Sequence, residues 1–325
     1  MEYRTLGKTG MDVSIVSYGA SPLGNVFDKT DETEGIRAVH AAIEHGINYF
    51  DVAPMYGVTL AETRLGKALK GKREKIFLAT KCCRYDEDAF DFSAKRVETS
   101  IDESLKRLQT DYVDVYQIHD VEFGDRNQVL EEAIPAALKV KESGKARFVG
   151  ITGLPVHYLK YLAEQTDIDT ILSWAHYNLV EDEMDTVLTP ICQKKGIGLI
   201  NSSPLLQRLL TERPIPAWHR SPSRVRNKMP EVIRLCKDYG WDIADVAMRY
   251  CLDYPHVATT IVGMSKQRNV EANVRVLNME SNPELLSKIE EKVASVKNLM
   301  WFEGREENNL GNVPPPEQSH KTVGE

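Results

Sequence analysis

The 325-residue sequence has no stretch near the ~18 consecutive apolar residues that a membrane-spanning helix requires, and its opening MEYRTLGKTGMDVS lacks the apolar core of a secretory leader. A soluble, unprocessed, cytoplasmic protein without a membrane partner is the expectation. Cysteine is scarce: Cys82, Cys83, Cys192, Cys236 and Cys251 form an odd set with no paired C-x-x-C spacing. That argues against a disulfide framework and a zinc knuckle, so no metal is expected. Basic charge is also in deficit. With 41 Lys and Arg against 48 Asp and Glu the formal charge is -7, and a nucleic-acid partner, which needs a basic face, is not expected. What is present is ordinary globular composition, 42% hydrophobic and 27% charged, with enough chain to bury a large core.

Short β-rich runs alternate with helical stretches from about residue 14 to residue 278, without a break in composition. Eight strands are predicted: Ile15 to Ala20, Ile47 to Asp51, Ile76 to Lys81, Val113 to His119, Ala146 to Ile151, Thr170 to Trp174, Ile197 to Ser202 and Val257 to Val262. Most are continuous apolar runs, as expected of a parallel sheet covered on both faces. Between them, Val97, Ile101, Leu105 and Leu108 fall on one face of a helix that Ser93 would cap. Strand, helix and parallel strand repeated eight times close as an α/β (β/α)8 TIM barrel, here a single domain over residues 1 to 307. Ahead of it, YRTLGKTGMDVS reads as a β-hairpin turning at Gly7 to Gly10 and able to plug the barrel floor. The loop from Leu205 to Arg226 follows the seventh strand and is long enough to be functional. From Asn308 to Glu325 the Pro314 to Pro316 run and polar end predict a disordered tail.

Reactive groups in such barrels gather at the C-terminal ends of the strands. Asp51 ends the second strand, Tyr56 lies five residues further on, Lys81 ends the third and His119 the fourth. Singly, Asp51 could be a turn residue, Lys81 a solvated strand end and His119 a satisfied core histidine. Delivery of all four to one rim favours catalysis. A phenol is a poor base near neutrality, and an adjacent ammonium lowers its pKa; Lys81 can supply that charge, Asp51 can hold Lys81, and His119 can orient a substrate oxygen.

The segments GINYFDVAPMYG, FLATK, DYVDVYQIHD, FVGITG and SPLLQRLL resemble the aldo-keto reductase superfamily through almost the whole chain. The resemblance implies Asp51, Tyr56, Lys81 and His119 as the catalytic tetrad and an extended nicotinamide dinucleotide across the barrel mouth, with no Rossmann fold. It implies cofactor contacts from Gly19, Ala20, Asp51, Thr152, Ser203, Leu205, Gly263, Ser265, Arg268 and Asn273. Two departures stand out. GITG offers Thr152 and Gly153 where the family has a Ser-Asn pair holding the carboxamide, and LSWAHYNL lacks the usual glutamine but offers Tyr177 for stacking on the nicotinamide. Gly263 stands where members binding a 2'-phosphate commonly have a cation, which favours NAD over NADP, although Lys266 and Arg268 lie close by.

Finer likeness in YGVTLAETRLGKAL and GLPVHYLKYLAEQ points to members that oxidise small sugars, with Trp174, Trp218, Trp301 and His176 as candidates for a sugar pocket. An aldehyde reductase using NADPH and a non-catalytic cofactor sensor remain the alternatives; the intact tetrad counts against the sensor.

Overall fold

The computed structural model describes residues 1–311. All eight predicted strands form and close as one parallel barrel. With the two hairpin strands taken first as β1 (Tyr3–Thr5) and β2 (Asp12–Ser14), the barrel strands are β3 (Val16–Gly19), β4 (Tyr49–Asp51), β5 (Phe77–Cys82), β6 (Val113–Ile118), β7 (Ala146–Gly153), β8 (Thr170–Trp174), β9 (Gly198–Ser202) and β10 (Thr259–Gly263). Each pairs with its neighbour in chain order, and β10 returns to β3. Ile15, Ile47, Ile76 and Ile197, expected to open strands, are buried just ahead of the hydrogen-bonded ladder, so apolar patterning placed those starts one or two residues early.

The hairpin seals the barrel floor as expected. Leu6, Met11 and Val13 pack against Ala79, Val115, Leu172, Ile200 and Ala258. Gly7 permits the close approach: its φ is +52°, and a Cβ there would lie 2.3 Å from the Gly198 nitrogen. On the outside, Ser93 accepts a hydrogen bond from the Arg96 amide and starts the helix Ala94–Leu108, whose Val97, Ile101, Leu105 and Leu108 are all buried against the barrel.

Two departures concern the chain near the C-terminal ends of the strands. Helix Ser223–Asp238 begins inside the long segment after β9, so the irregular chain there ends at Pro222 and not at Arg226. The flexible tail was expected from Asn308, yet Asn308 is buried and its side-chain amide donates to the Glu122 and Gly124 carbonyls at 3.0 and 2.9 Å. Polar composition suggested solvation there, but Asn308 satisfies backbone carbonyls of the loop after β6, which needs a polar side chain. The rest of the expected tail, residues 312–325, lies outside the described residues. Among the described residues no helix is long and apolar enough to cross a membrane.

Candidate active site

The pairing of Gly19 with Asp51, Asp51 with Ala79 and Lys81 with Gln117 brings Asp51, Lys81 and His119 to adjoining strand ends. The Lys81 ammonium has three protons and three acceptors: a carboxylate oxygen of Asp51, the Val52 carbonyl at 3.0 Å and the Tyr56 hydroxyl at 3.1 Å. The second Asp51 oxygen accepts from the Gln117 side-chain amide at 2.9 Å. Gln117 was not expected, although its place on β6, two residues before His119 just past the strand end, puts it on the same face as that histidine if the extended backbone continues. Burying this ion pair costs desolvation, and full hydrogen bonding of both partners is what makes it tolerable.

Electrostatics follow from this packing. Burial works against the Lys81 charge, but Asp51 and Tyr56 outweigh it and hold the ammonium pKa above its ordinary value. For Tyr56, burial pushes the phenol pKa up and Lys81 only partly offsets it, so the net shift is upward. The ammonium therefore moderates a buried phenol instead of bringing it below the free value, as its proximity alone suggested. His119 is pushed down to about 3 by burial, with Lys81 and Arg84 adding to the effect against the opposing charge of Asp120. Its imidazole is neutral at working pH and can donate one N–H. The His119 ring meets Tyr56 edge-on at 5.8 Å, and its backbone amide is tied to the Cys82 carbonyl at 3.0 Å.

The Tyr56 loop is fixed by two glycines. Gly57 and Gly24 are pressed together so closely that a Cβ on Gly57 would lie 2.1 Å from the Gly24 oxygen, and one on Gly24 would lie 2.4 Å from the Tyr56 oxygen. Gly57, Val58 and Thr59 all have positive φ, and Arg64 ties the Gly24 loop by donating to the Leu23 carbonyl at 2.7 Å. Gly57→Ala is expected to lower kcat by about 10²-fold, the scale of an ångström's misplacement of a reacting group. A kcat within about twofold of the parent, with unchanged circular dichroism, would show that this contact does not position Tyr56.

Tyr56 and Asp51 line a cavity of about 590 Å³ whose wall also includes Asn269 and Asn273. That is the size of a small-molecule site. Of the residues the resemblance singled out, Gly19, Asp51, Ser203, Leu205, Gly263, Ser265 and Asn273 line it. Ala20 does not; it is buried, with its amide bonded to the Asp51 carbonyl. Thr152 does not either, because its hydroxyl is used on Asp120, accepting from the Asp120 amide at 3.0 Å. Arg268 is exposed on the helix Gln267–Arg275, and Asn269, one residue further round, faces the cavity instead. Tyr177 stacks on Tyr250 and Tyr254, at 5.3 and 4.2 Å, and is not among the residues that line the cavity.

From the long loop after β9, expected to be functional, Arg208 makes a contact that sequence did not pick out. Arg208 forms an ion pair with Asp28, and its guanidinium lies 5.5 Å from the Phe27 ring centroid, so the loop reaches across the cavity to the loop after β3. Trp218 from the same loop is 5.9 Å from Phe27 and half exposed. Trp301, by contrast, is buried against Trp174 and donates to Glu303 at 3.0 Å, a packing role and not a pocket wall. His176 is likewise buried and outside the cavity lining.

The aldo/keto reductase family model matches residues 16–294, the span that carries the barrel, the four clustered side chains and the cavity. The chain belongs to the aldo/keto reductase family. It is accordingly an oxidoreductase. It is 44% identical to L-galactose dehydrogenase of Arabidopsis thaliana, an alignment covering 95% of this chain and 99% of that protein. It is 27% identical to D-arabinose 1-dehydrogenase of Saccharomyces cerevisiae, covering 89% and 91% of the two chains. Among solved structures, the holo form of aldo-keto reductase AKR11C1 from Bacillus halodurans superposes with a TM-score of 0.78 at 27% identity, over 95% of this chain and 99% of that one.

Proposed function

We propose that the protein is an NAD-dependent dehydrogenase of a small aldose, oxidising L-galactose at C1 to the galactonolactone, with Tyr56 as general base. The observation that carries this reading is the Lys81 ammonium shared between Asp51 and the Tyr56 hydroxyl, two residues that line the cavity.

The residues present suit a dinucleotide. Helix Gln267–Arg275 starts with no side-chain cap, and although the Asn269 amide donates to the Lys266 carbonyl at 2.9 Å, the amides of Gln267 and Arg268 ahead of it can face an anionic group beside Ser265. Ser203, Leu205 and Arg208 close the cavity from the loop after β9. When bound, the nicotinamide would accept the hydride from C1. Tyr56 then takes the hydroxyl proton, Lys81 stabilises the phenolate that this requires, and neutral His119 donates its N–H to the same oxygen and fixes its direction. Asp51 and Gln117 hold Lys81 in place.

Preference for NAD rests on charge. Arg208 is neutralised by Asp28, Arg275 by Asp245 at 2.5 Å, and Lys266 by Glu34 at 3.4 Å, while Gly263 brings no cation. At these three a 2'-phosphate would meet cations already engaged by carboxylates, which leaves Arg268 and the cavity-lining Arg213, outside such pairs among the described residues, as the cations that would compete for it. For the substrate, the support is the 44% identity to an L-galactose dehydrogenase, together with the Phe27 face in the cavity lining, backed by Trp218, which suits the apolar side of a sugar ring.

Initial rates of reduced-nicotinamide formation with L-galactose, L-fucose and D-arabinose, each with NAD and NADP, test the assignment. The expected result is turnover with L-galactose and NAD at a kcat/KM at least about tenfold above every other pair, a gap of ~1.4 kcal/mol. Equal use of the three sugars would retain the dehydrogenase and remove the substrate; preference for NADP would remove the cofactor.

A further inference from the structure

Away from the cavity, the turn that leaves β8 brings a second set of ionisable groups together. His176, Glu181 and Glu183 each offer a ligand atom, and these atoms lie within 4.8 Å of one another. His176 and Glu181 are both about 1% exposed, yet neither His176 Nδ1 nor Glu181 Oε2 has a hydrogen-bond partner. A buried carboxylate oxygen and a buried imidazole nitrogen both left without partners are costly, and a shared cation is the simplest group that satisfies both. Nδ1 is 3.5 Å from Glu183 Oε2, beyond a good hydrogen bond but compatible with two donors facing one ion.

The turn is built to hold this arrangement. The Asn178 side-chain oxygen accepts from the amides of Val180 and Glu181 at 2.9 and 3.2 Å, its own amide donates to the Ala175 carbonyl at 2.8 Å, and the Met184 amide donates to the His176 carbonyl at 3.2 Å. Asp182, between the two glutamates, points elsewhere: Lys297 pairs with it at 2.9 Å and Asn298 hydrogen-bonds it at 2.9 Å. Of the local acidic groups, Glu181 and Glu183 are thus left facing the His176 imidazole, and one divalent ion would balance the charge of two carboxylates.

We propose that His176, Glu181 and Glu183 bind a divalent first-row transition cation, with zinc favoured, that clasps the turn leaving β8. One imidazole and two carboxylates are a nitrogen and oxygen donor set that suits zinc better than magnesium, which keeps an all-oxygen shell rich in water. Tetrahedral coordination with bonds of about 2.0–2.2 Å needs the three donors roughly an ångström closer together than their widest present separation. Glu183 can make that movement, since it opens the short helix Glu183–Val187 and is the partly exposed member of the three. It also leaves the fourth position open to water. The ion is structural: Ala175, at the base of the turn, donates to the Ser202 carbonyl at 2.9 Å, next to the rim of the cavity.

Equilibrium dialysis of the tag-free full-length protein against zinc chloride in a competing chelator, and separately against magnesium chloride, tests this. The expected result is one zinc per chain, no stoichiometric magnesium, and binding weakened at least about tenfold in both His176→Ala and Glu183→Gln. Circular dichroism and dehydrogenase activity report whether each variant is folded, and the partly exposed Glu183 supplies a fold-preserving change should His176→Ala misfold. Absence of zinc from the parent protein would overturn the proposal. So would equal zinc binding by Glu183→Gln, which would place the metal on other groups such as the cysteines.

Discussion

Tyr56→Phe is expected to lower kcat for sugar oxidation by at least 10²- to 10⁴-fold, the usual contribution of a positioned acid or base, while the affinity for the dinucleotide stays within about twofold. The variant removes one oxygen atom. The ring keeps its edge contact with His119 at 5.8 Å, and the Gly24 and Gly57 contacts that fix the loop involve backbone only. Lys81 loses one of its three acceptors but keeps Asp51 and the Val52 carbonyl, so the buried ion pair survives. The loss should therefore appear in kcat, with dinucleotide binding measured by fluorescence titration as the control. A Tyr56→Phe enzyme with more than about a tenth of parental kcat would require another proton acceptor. His119 is a poor candidate, since its pKa is pushed down to about 3 by burial and its neutral ring has little basicity left.

How much of this was legible in sequence depends on whether a property is local. The eight strands follow from runs such as Val113 to Ile118, which is buried throughout because both its faces are covered. The order of Asp51, Lys81 and His119 on successive strand ends is equally local, and closure of the barrel turns that order into contact. Gln117 was missed because a glutamine inside an apolar run has no meaning until the neighbouring strand presents a carboxylate to it. Thr152 and Ala20 lie outside the cavity lining for a related reason: Thr152 is engaged by Asp120 and Ala20 is backed against Asp51. Arg268 and Asn269 show the limit of motif reading on a helix, where one residue of phase, about 100°, moves a side chain from solvent to cavity. The strap formed by Arg208, Asp28 and Phe27 joins residues 180 positions apart, and only tertiary structure reveals that pairing.

The balance of forces on Tyr56 gives the second large effect. Burial holds the phenol pKa above its ordinary value despite Lys81, so the hydroxyl is protonated near neutrality. Oxidation needs the phenolate, and kcat/KM for the sugar should rise with pH, approaching tenfold per unit, until the phenol ionises in the alkaline range. Reduction of the lactone or of a model carbonyl needs the protonated form and should fall over the same range. No inflection near the ordinary histidine pKa is expected from His119. In Lys81→Met the lowering influence on Tyr56 is lost while burial and the Asp51 charge remain, both of which raise it. The alkaline rise should therefore move to still higher pH, and kcat at neutral pH should fall by about 10²-fold or more. Removing the lysine also strands Asp51, buried with Gln117 as its remaining side-chain partner, and breaking such a pair commonly costs about 3–5 kcal/mol. The double variant Lys81→Met with Asp51→Asn removes both charges and separates the two effects. If its stability recovers while the profile stays displaced upward, the ammonium acts on the phenol. If either variant keeps the parental pH profile, the group that titrates in catalysis is not Tyr56.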